Sequence, residues 1–310
     1  MTDAVSSCDV PLKNADKWST LFPFQPRFET IGGYKYAYID EGPTNSDGTE
    51  RPVLLCSHGN PTWSFFFREV VKRFSDKYRV VAVDHIGCGR SEKPPLRKYP
   101  YSLARRGNDL NELLDKLGIK NVVLIAHDWG GAVGMRAATQ RPELYSKLIL
   151  MNTAAYLSDR VPKRIRLCHT PILKRVLLQG LNVFPRAATT MATAKGLSDE
   201  VKAGLLAPYD SWSNRIAVCE FVQDIPTSPK HRSYDALKET QEKLPLFKDK
   251  PVALIWGVKD WCFPPEVFLD GFLKYYPNAF VRKIEDAGHY LLEDSPEETI
   301  AAIQEFLETR

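Results

Sequence analysis

No stretch of this 310-residue chain approaches eighteen consecutive apolar residues, the least a helix needs to cross a bilayer, so no membrane span is expected. The polar residues 1–17 hold no apolar run of the signal-peptide kind. Charge of one sign is equally scarce: 42 Lys and Arg against 38 Asp and Glu leave a formal charge of +4. That balance offers no broad basic surface for nucleic acid. The one local cluster, Lys163, Arg164, Arg166, Lys174 and Arg175, reads as a solvated helix face. Six cysteines, at positions 8, 56, 88, 168, 219 and 262, fall at no metal-ligand spacing and are too few for a disulfide framework in a chain this long. They read as reduced, mostly buried small hydrophobes, and the expected compartment is the cytoplasm. Low-complexity tracts and internal repeats are also missing. What is present is ordinary globular material, 44% hydrophobic and 26% charged, enough for a large core.

The hydrophobic pattern alternates between strand and helix periods. Short apolar, β-branched runs predict strands over residues 34–40, 52–57, 78–84, 122–126, 148–151, 252–256 and 280–284. Helical spacing predicts helices over 64–74, over 103–117 with Leu110, Leu113, Leu114 and Leu117 on one face, from 129 through 137, and over 296–307. Ser295 is expected to cap the last of these, which Pro296 opens. Such alternation predicts a mostly parallel sheet covered by helices on both faces. Residues 1–20 read as a poorly ordered leader. Between 153 and 228 the alternation stops and proline-broken helical patterns take over. The expected layout is a core from 21–152 and 229–310, with 153–228 as a helical lid. An insertion there, directly after a core strand, would lie over the sheet edge where ligands of open α/β sheets bind.

At the end of the run 122–126 the chain carries His127-Asp128-Trp129-Gly130-Gly131. One polar residue stands at a sharp strand-to-helix turn, with small residues two positions before and after it. A serine is the familiar nucleophile at such a turn; here it is Asp128. Asp260 follows the strand 252–256 and His289 follows the last strand, so all three can meet at one edge. Alone, an Asp after a strand is usually a cap and a loop His usually structural; the order and the strand contexts together favour catalysis. Two rivals for the acid are weaker. Position 152 is an asparagine, which holds no charge, and Asp286 sits too close to His289 in sequence. A carboxylate is already ionised at neutral pH and can displace a leaving group from saturated carbon, forming an ester that His289, oriented by Asp260, would hydrolyse through water. Backbone N–H groups at Trp129 and Asn60 are candidates for the oxyanion hole, and the Trp129 indole and Asn60 amide for donors to an anionic leaving group.

The strings His58-Gly59-Asn60-Pro61-Thr62-Trp63, Asp84-His85-Ile86-Gly87-Cys88-Gly89-Arg90-Ser91, His127-Asp128-Trp129-Gly130-Gly131 and Gly288-His289 resemble those of haloalkane dehalogenases of the α/β-hydrolase superfamily, over about residues 21–310. The resemblance implies an α/β-hydrolase fold with a helical cap and conversion of a haloalkane to alcohol and halide. It makes Asp128 the nucleophile, His289 the base, Asp260 the triad acid, and Asn60 with Trp129 the halide pair. It implies no metal or organic cofactor, and as partners a small apolar substrate and a halide ion. The same strings, with the lead-in Phe22-Pro23-Phe24-Gln25-Pro26-Arg27, are similar to β-lactone decarboxylases of long-chain olefin biosynthesis, which open a lactone with loss of CO₂. Epoxide hydrolases are a more distant likeness: Tyr156 and Tyr209 lie in the insertion, but Asn60 stands where that family usually has an aromatic residue. The fold also hosts non-catalytic receptors, so fold alone assigns no activity.

Overall fold

The computed structural model describes residues 12–43, 51–160, 179 and 182–310. Its frame is an eight-stranded sheet in the order β1-β2-β4-β3-β5-β6-β7-β8. The strands are β1 (Arg27–Ile31), β2 (Tyr34–Glu41), β3 (Val53–Ser57), β4 (Arg79–Asp84), β5 (Val122–Asp128), β6 (Tyr145–Thr153), β7 (Val252–Gly257) and β8 (Phe280–Ile284). β2 pairs antiparallel with both β1 and β4, and every other pairing is parallel.

The parity of each strand sorts its side chains between two cores. Leu55, Val81, Val83, Leu124 and Ala126 enter one; Leu54, Cys56, Val80, Ala82, Val123 and Ile125 enter the other. All are fully or almost fully buried, as parallel strands covered on both faces must be. Each buried Leu, Ile or Val contributes about 1.5–3 kcal/mol. Helices α1 (Arg68–Phe74), α2 (Leu103–Lys116), α3 (Trp129–Gln140), α8 (Phe268–Leu273) and α9 (Pro296–Thr309) belong to these layers. Between β6 and β7 the described chain holds α4 (Val183–Met191), α5 (Asp199–Leu206), α6 (Ile216–Gln223) and α7 (Tyr234–Lys243), and no strand.

Several expectations change in detail. The helix predicted over 64–74 begins as a 3₁₀ turn, Ser64–Phe67, before α1. β5 runs on to Asp128, and β6 reaches well beyond 148–151 because polar Ser146, Lys147 and Asn152 lie within it. β1 was not anticipated; it forms a hairpin with β2 through Gly32 and Gly33, both at positive φ. Ser295 does not cap α9 with its side chain; its hydroxyl donates instead to Asp286. The basic cluster at 163–175, Cys8 and Cys168 lie outside the described residues. Cys56, Cys88 and Cys262 are free thiols. Among the described residues no helix is long and apolar enough to cross a membrane.

Candidate active site

β5 ends in a turn that few side chains tolerate. Asp128 has φ 53° and ψ −128°, and α3 starts at the next residue. The turn needs close packing around it. A Cβ on Gly130 would lie 1.9 Å from the Ser57 carbonyl oxygen, and one on Gly59 would lie 2.1 Å from Asp128 Oδ1. Both positions therefore admit glycine alone, and the strained aspartate is held from two sides.

Asp128 is 7% exposed. Its Oδ1 accepts the Asn60 backbone N–H at 2.6 Å, and its Oδ2 lies 3.6 Å from His289 Nε2. On the other side of the ring, His289 Nδ1 is 2.8 Å from Asp260 Oδ2. Asp260 is buried, and accepts from Asn152 Nδ2 at 2.7 Å and from the Cys262 N–H at 2.7 Å. Asp128, His289 and Asp260 thus converge, as their chain order and strand contexts predict. Asn152 also accepts the Gly257 N–H at 2.8 Å, so it bridges β6 to β7 and aims Asp260. That role was missed; the signal was a polar residue at the end of an apolar strand.

Burial opposes charge on His289, but Asp260 and the hydrogen bonds to Asp128 and Asp260 outweigh it and push the imidazole up to about 10. Burial likewise works against an ionised Asp260, yet the His289 charge and the donors from His289 and Asn152 hold it below the usual carboxylate range. His127, one residue before the turn, is driven the other way: burial and the neighbouring His289 charge take it down to about 3. Its Nε2–H donates to the His289 carbonyl at 2.8 Å.

These groups open onto a cavity of about 350 Å³, walled mainly by apolar side chains such as Phe184, Met191, Val222, Leu237, Phe263 and Phe268. Asn60, Trp129 and exposed Arg160 also line it. Half-buried Trp129 packs on Phe221 at 5.5 Å between ring centres. The Asn60 amide donates to the Val218 carbonyl on α6 at 3.2 Å, which occupies one of its two hydrogens, and its Oδ1 is buried without a partner among the described residues. The Asn60 backbone N–H, the candidate oxyanion donor, is the one that reaches Asp128 Oδ1.

The other candidates fall away from the centre. Asp286 is exposed and pairs with Lys195. Tyr156 lines the cavity, but its hydroxyl donates to the Phe268 carbonyl at 2.8 Å; buried Tyr209 donates to the Thr62 carbonyl at 2.9 Å. Neither hydroxyl is aimed at an epoxide oxygen beside Asp128. Among the described residues no group of three or more His, Cys, Asp or Glu is placed to hold a metal ion. The arrangement that does exist is an ionisable carboxylate on a strained turn, beside an imidazolium, facing an oily cavity. It suits attack on an electrophilic carbon of an apolar molecule.

Residues 52–296 match the family model described as the alpha/beta hydrolase fold. Over 293 residues the chain is 38% identical to the cis-3-alkyl-4-alkyloxetan-2-one decarboxylase of Shewanella oneidensis, covering 93% of this chain and 90% of that protein. The protein of the same name from Xanthomonas campestris is 37% identical, covering 93% of this chain and 97% of its own length. Haloalkane dehalogenase 2 of Mycobacterium tuberculosis is 29% identical over 92% of this chain and 96% of that protein. Among solved structures, haloalkane dehalogenase DbeA from Bradyrhizobium elkani superposes with a TM-score of 0.80 at 25% identity, covering 93% of this chain and 100% of that one.

Proposed function

The chain belongs to the alpha/beta hydrolase fold family, in the branch that holds the haloalkane dehalogenases and the oxetan-2-one decarboxylases, and from that premise we propose that it opens a dialkyl β-lactone through Asp128 and releases an alkene and CO₂. The observation that carries this reading is the ionisable carboxylate of Asp128, held at φ 53° against an apolar cavity. Within the branch, the relatives named for the lactone are 38% and 37% identical to this chain, against 29% for the named dehalogenase.

Asp128 attacks the saturated ring carbon that bears the ring oxygen. The C–O bond breaks with inversion, leaving an alkyl ester on Asp128 and a free carboxylate on the substrate. The bond to that carboxylate then breaks as CO₂ departs; its electron pair forms the double bond and expels Asp128 as a carboxylate. One lactone gives one alkene and one CO₂, with no water consumed. Inversion followed by anti elimination turns a cis lactone into a cis alkene. The route needs no base, which suits a His289 held protonated by Asp260 and Asp128. The imidazolium, 3.6 Å from Asp128 Oδ2, stabilises the carboxylate as it re-forms.

A second reading, hydrolytic dehalogenation, is favoured by the Asn60 and Trp129 side chains lining the cavity. There Asp128 displaces a halide received by Asn60 and Trp129. Alkylation cancels the Asp128 charge, the imidazole loses one of its two supports, and a neutral His289 activates water against the ester. In both readings Asp260 orients His289, residues 153–228 act as the lid, the substrate is small and apolar, and the free cysteines suit a cytoplasmic setting. Product analysis separates them. With a cis-3,4-dialkyl β-lactone the expected products are cis alkene and CO₂ in equal amounts. A hydroxy acid in their place, or halide release from a bromoalkane panel with no lactone turnover, would overturn the first reading.

A further inference from the structure

The loop that carries His289 is fastened to the substrate wall through one carboxylate that no catalytic role explains. Asp294 is 5% exposed and receives only backbone donors. Ala194 N–H reaches its two oxygens at 3.0 and 2.8 Å, Lys195 N–H reaches Oδ1 at 2.9 Å, and Gly288 N–H reaches Oδ2 at 2.8 Å. The nearby Lys195 ammonium is spent elsewhere, on Asp286 and on the Ser295 hydroxyl. A buried carboxylate satisfied by three peptide groups is a directional clamp rather than an ion pair.

Both neighbours of His289 are tied to that wall, one of them by the clamp. Gly288 is held by Asp294, and the Tyr290 N–H donates to the Ala192 carbonyl at 2.8 Å. Both ties lead to residues 192–195, the segment that leaves α4. That helix supplies Ala187, Ala188 and Met191 to the cavity wall. From the same helix end, the Met191 carbonyl accepts the Trp261 indole N–H at 2.7 Å, next to Asp260. The wall that contacts substrate is therefore joined to the loops of both His289 and Asp260.

We propose that Asp294 is a positioning residue, which keeps His289 in register with Asp128 by locking its loop to α4. This rests on the reading that His289 acts during turnover. In Asp294→Asn, an amide NH₂ would face the peptide N–H groups, and the clamp would open on at least one side. A displacement of His289 by one ångström is enough for a loss of about 100-fold in kcat, with KM little changed because the apolar cavity remains.

The test has a readout that needs no substrate. Titration of His289 by NMR in the wild type and in Asp294→Asn follows its contact with Asp128 and Asp260 directly. The expected result is a lower midpoint in the variant, together with the kcat loss. Lys195→Ala, which removes the exposed pair with Asp286 but no backbone tie, should leave both readings at wild-type values. A folded Asp294→Asn with the wild-type His289 midpoint overturns the proposal, whatever its turnover. If that variant does not fold, Asp294→Glu carries the test: its longer arm should shift the midpoint, and an unshifted midpoint contradicts the clamp. A wild-type protein with no lactone turnover would defeat the proposed function while leaving the titration to decide on Asp294.

Discussion

At the scale of single residues, the proposed chemistry depends on one carboxylate and the imidazole beside it. Asp128→Asn keeps the shape of the turn and removes the nucleophile. Turnover of any substrate is expected to fall by about 10⁴-fold or more, with an unchanged circular dichroism spectrum. His289 links charge to stability. Its pKa is near 6.5 in the unfolded chain and about 10 in the folded one. The stabilisation is therefore complete below about pH 6.5 and is lost as the pH rises through about 10. Thermal melts from pH 7 to 10 are expected to show a falling Tm that His289→Gln largely lacks; parallel curves for the two proteins would mean that the imidazole is not held by its carboxylates. Asp128, Asp260 and His289 were legible because each follows an apolar run, and strand ends gather at one edge. Asn152 and Asp294 were not, because their partners are peptide groups and side chains more than ninety positions away in several cases, and nothing local in the chain announces them.

At the scale of elements, the turn between β5 and α3 is where packing and chemistry meet. A Cβ on Gly130 would meet backbone at Ser57, which has no rotamer to yield. Gly130→Ala should therefore cost about 1–3 kcal/mol from overpacking, read by urea denaturation, and should lower activity by shifting Asp128. Gly118 gives the contrast. It has φ 63° after α2 but open space around its Cβ position, so Gly118→Ala should cost only the left-handed backbone strain, about 1–2 kcal/mol, and leave activity alone. Equal losses at the two sites would remove the steric account of the turn. The central strands were readable as continuous apolar runs because both faces are covered. β1 was not, since four of its five residues are exposed or half-buried at the edge of the sheet, and the polar ends of β6 interrupt its apolar run.

At the scale of the whole molecule, the sheet brings the ends of β5, β6, β7 and β8 to one edge, and the segment between β6 and β7 helps to wall the cavity there. The mostly parallel sheet followed from the alternation of elements, but the order of its strands did not; where the alternation stops, the described chain holds α4, α5 and α6 and no strand. The shape of the cavity was not legible, because it is set by side chains from β5, α3, α4, α6, α7 and α8 and from the loops after β3, β6, β7 and β8 together. Both proposed reactions begin with the same event in that cavity, attack by Asp128 on carbon, and this can be observed directly. His289→Gln is incubated with a reactive primary bromoalkane and its intact mass is measured, followed by peptide mapping. The predicted result is a gain equal to one alkyl group, located on Asp128. An unmodified Asp128, in a protein whose wild type turns over lactone or releases halide, would contradict covalent attack by this carboxylate.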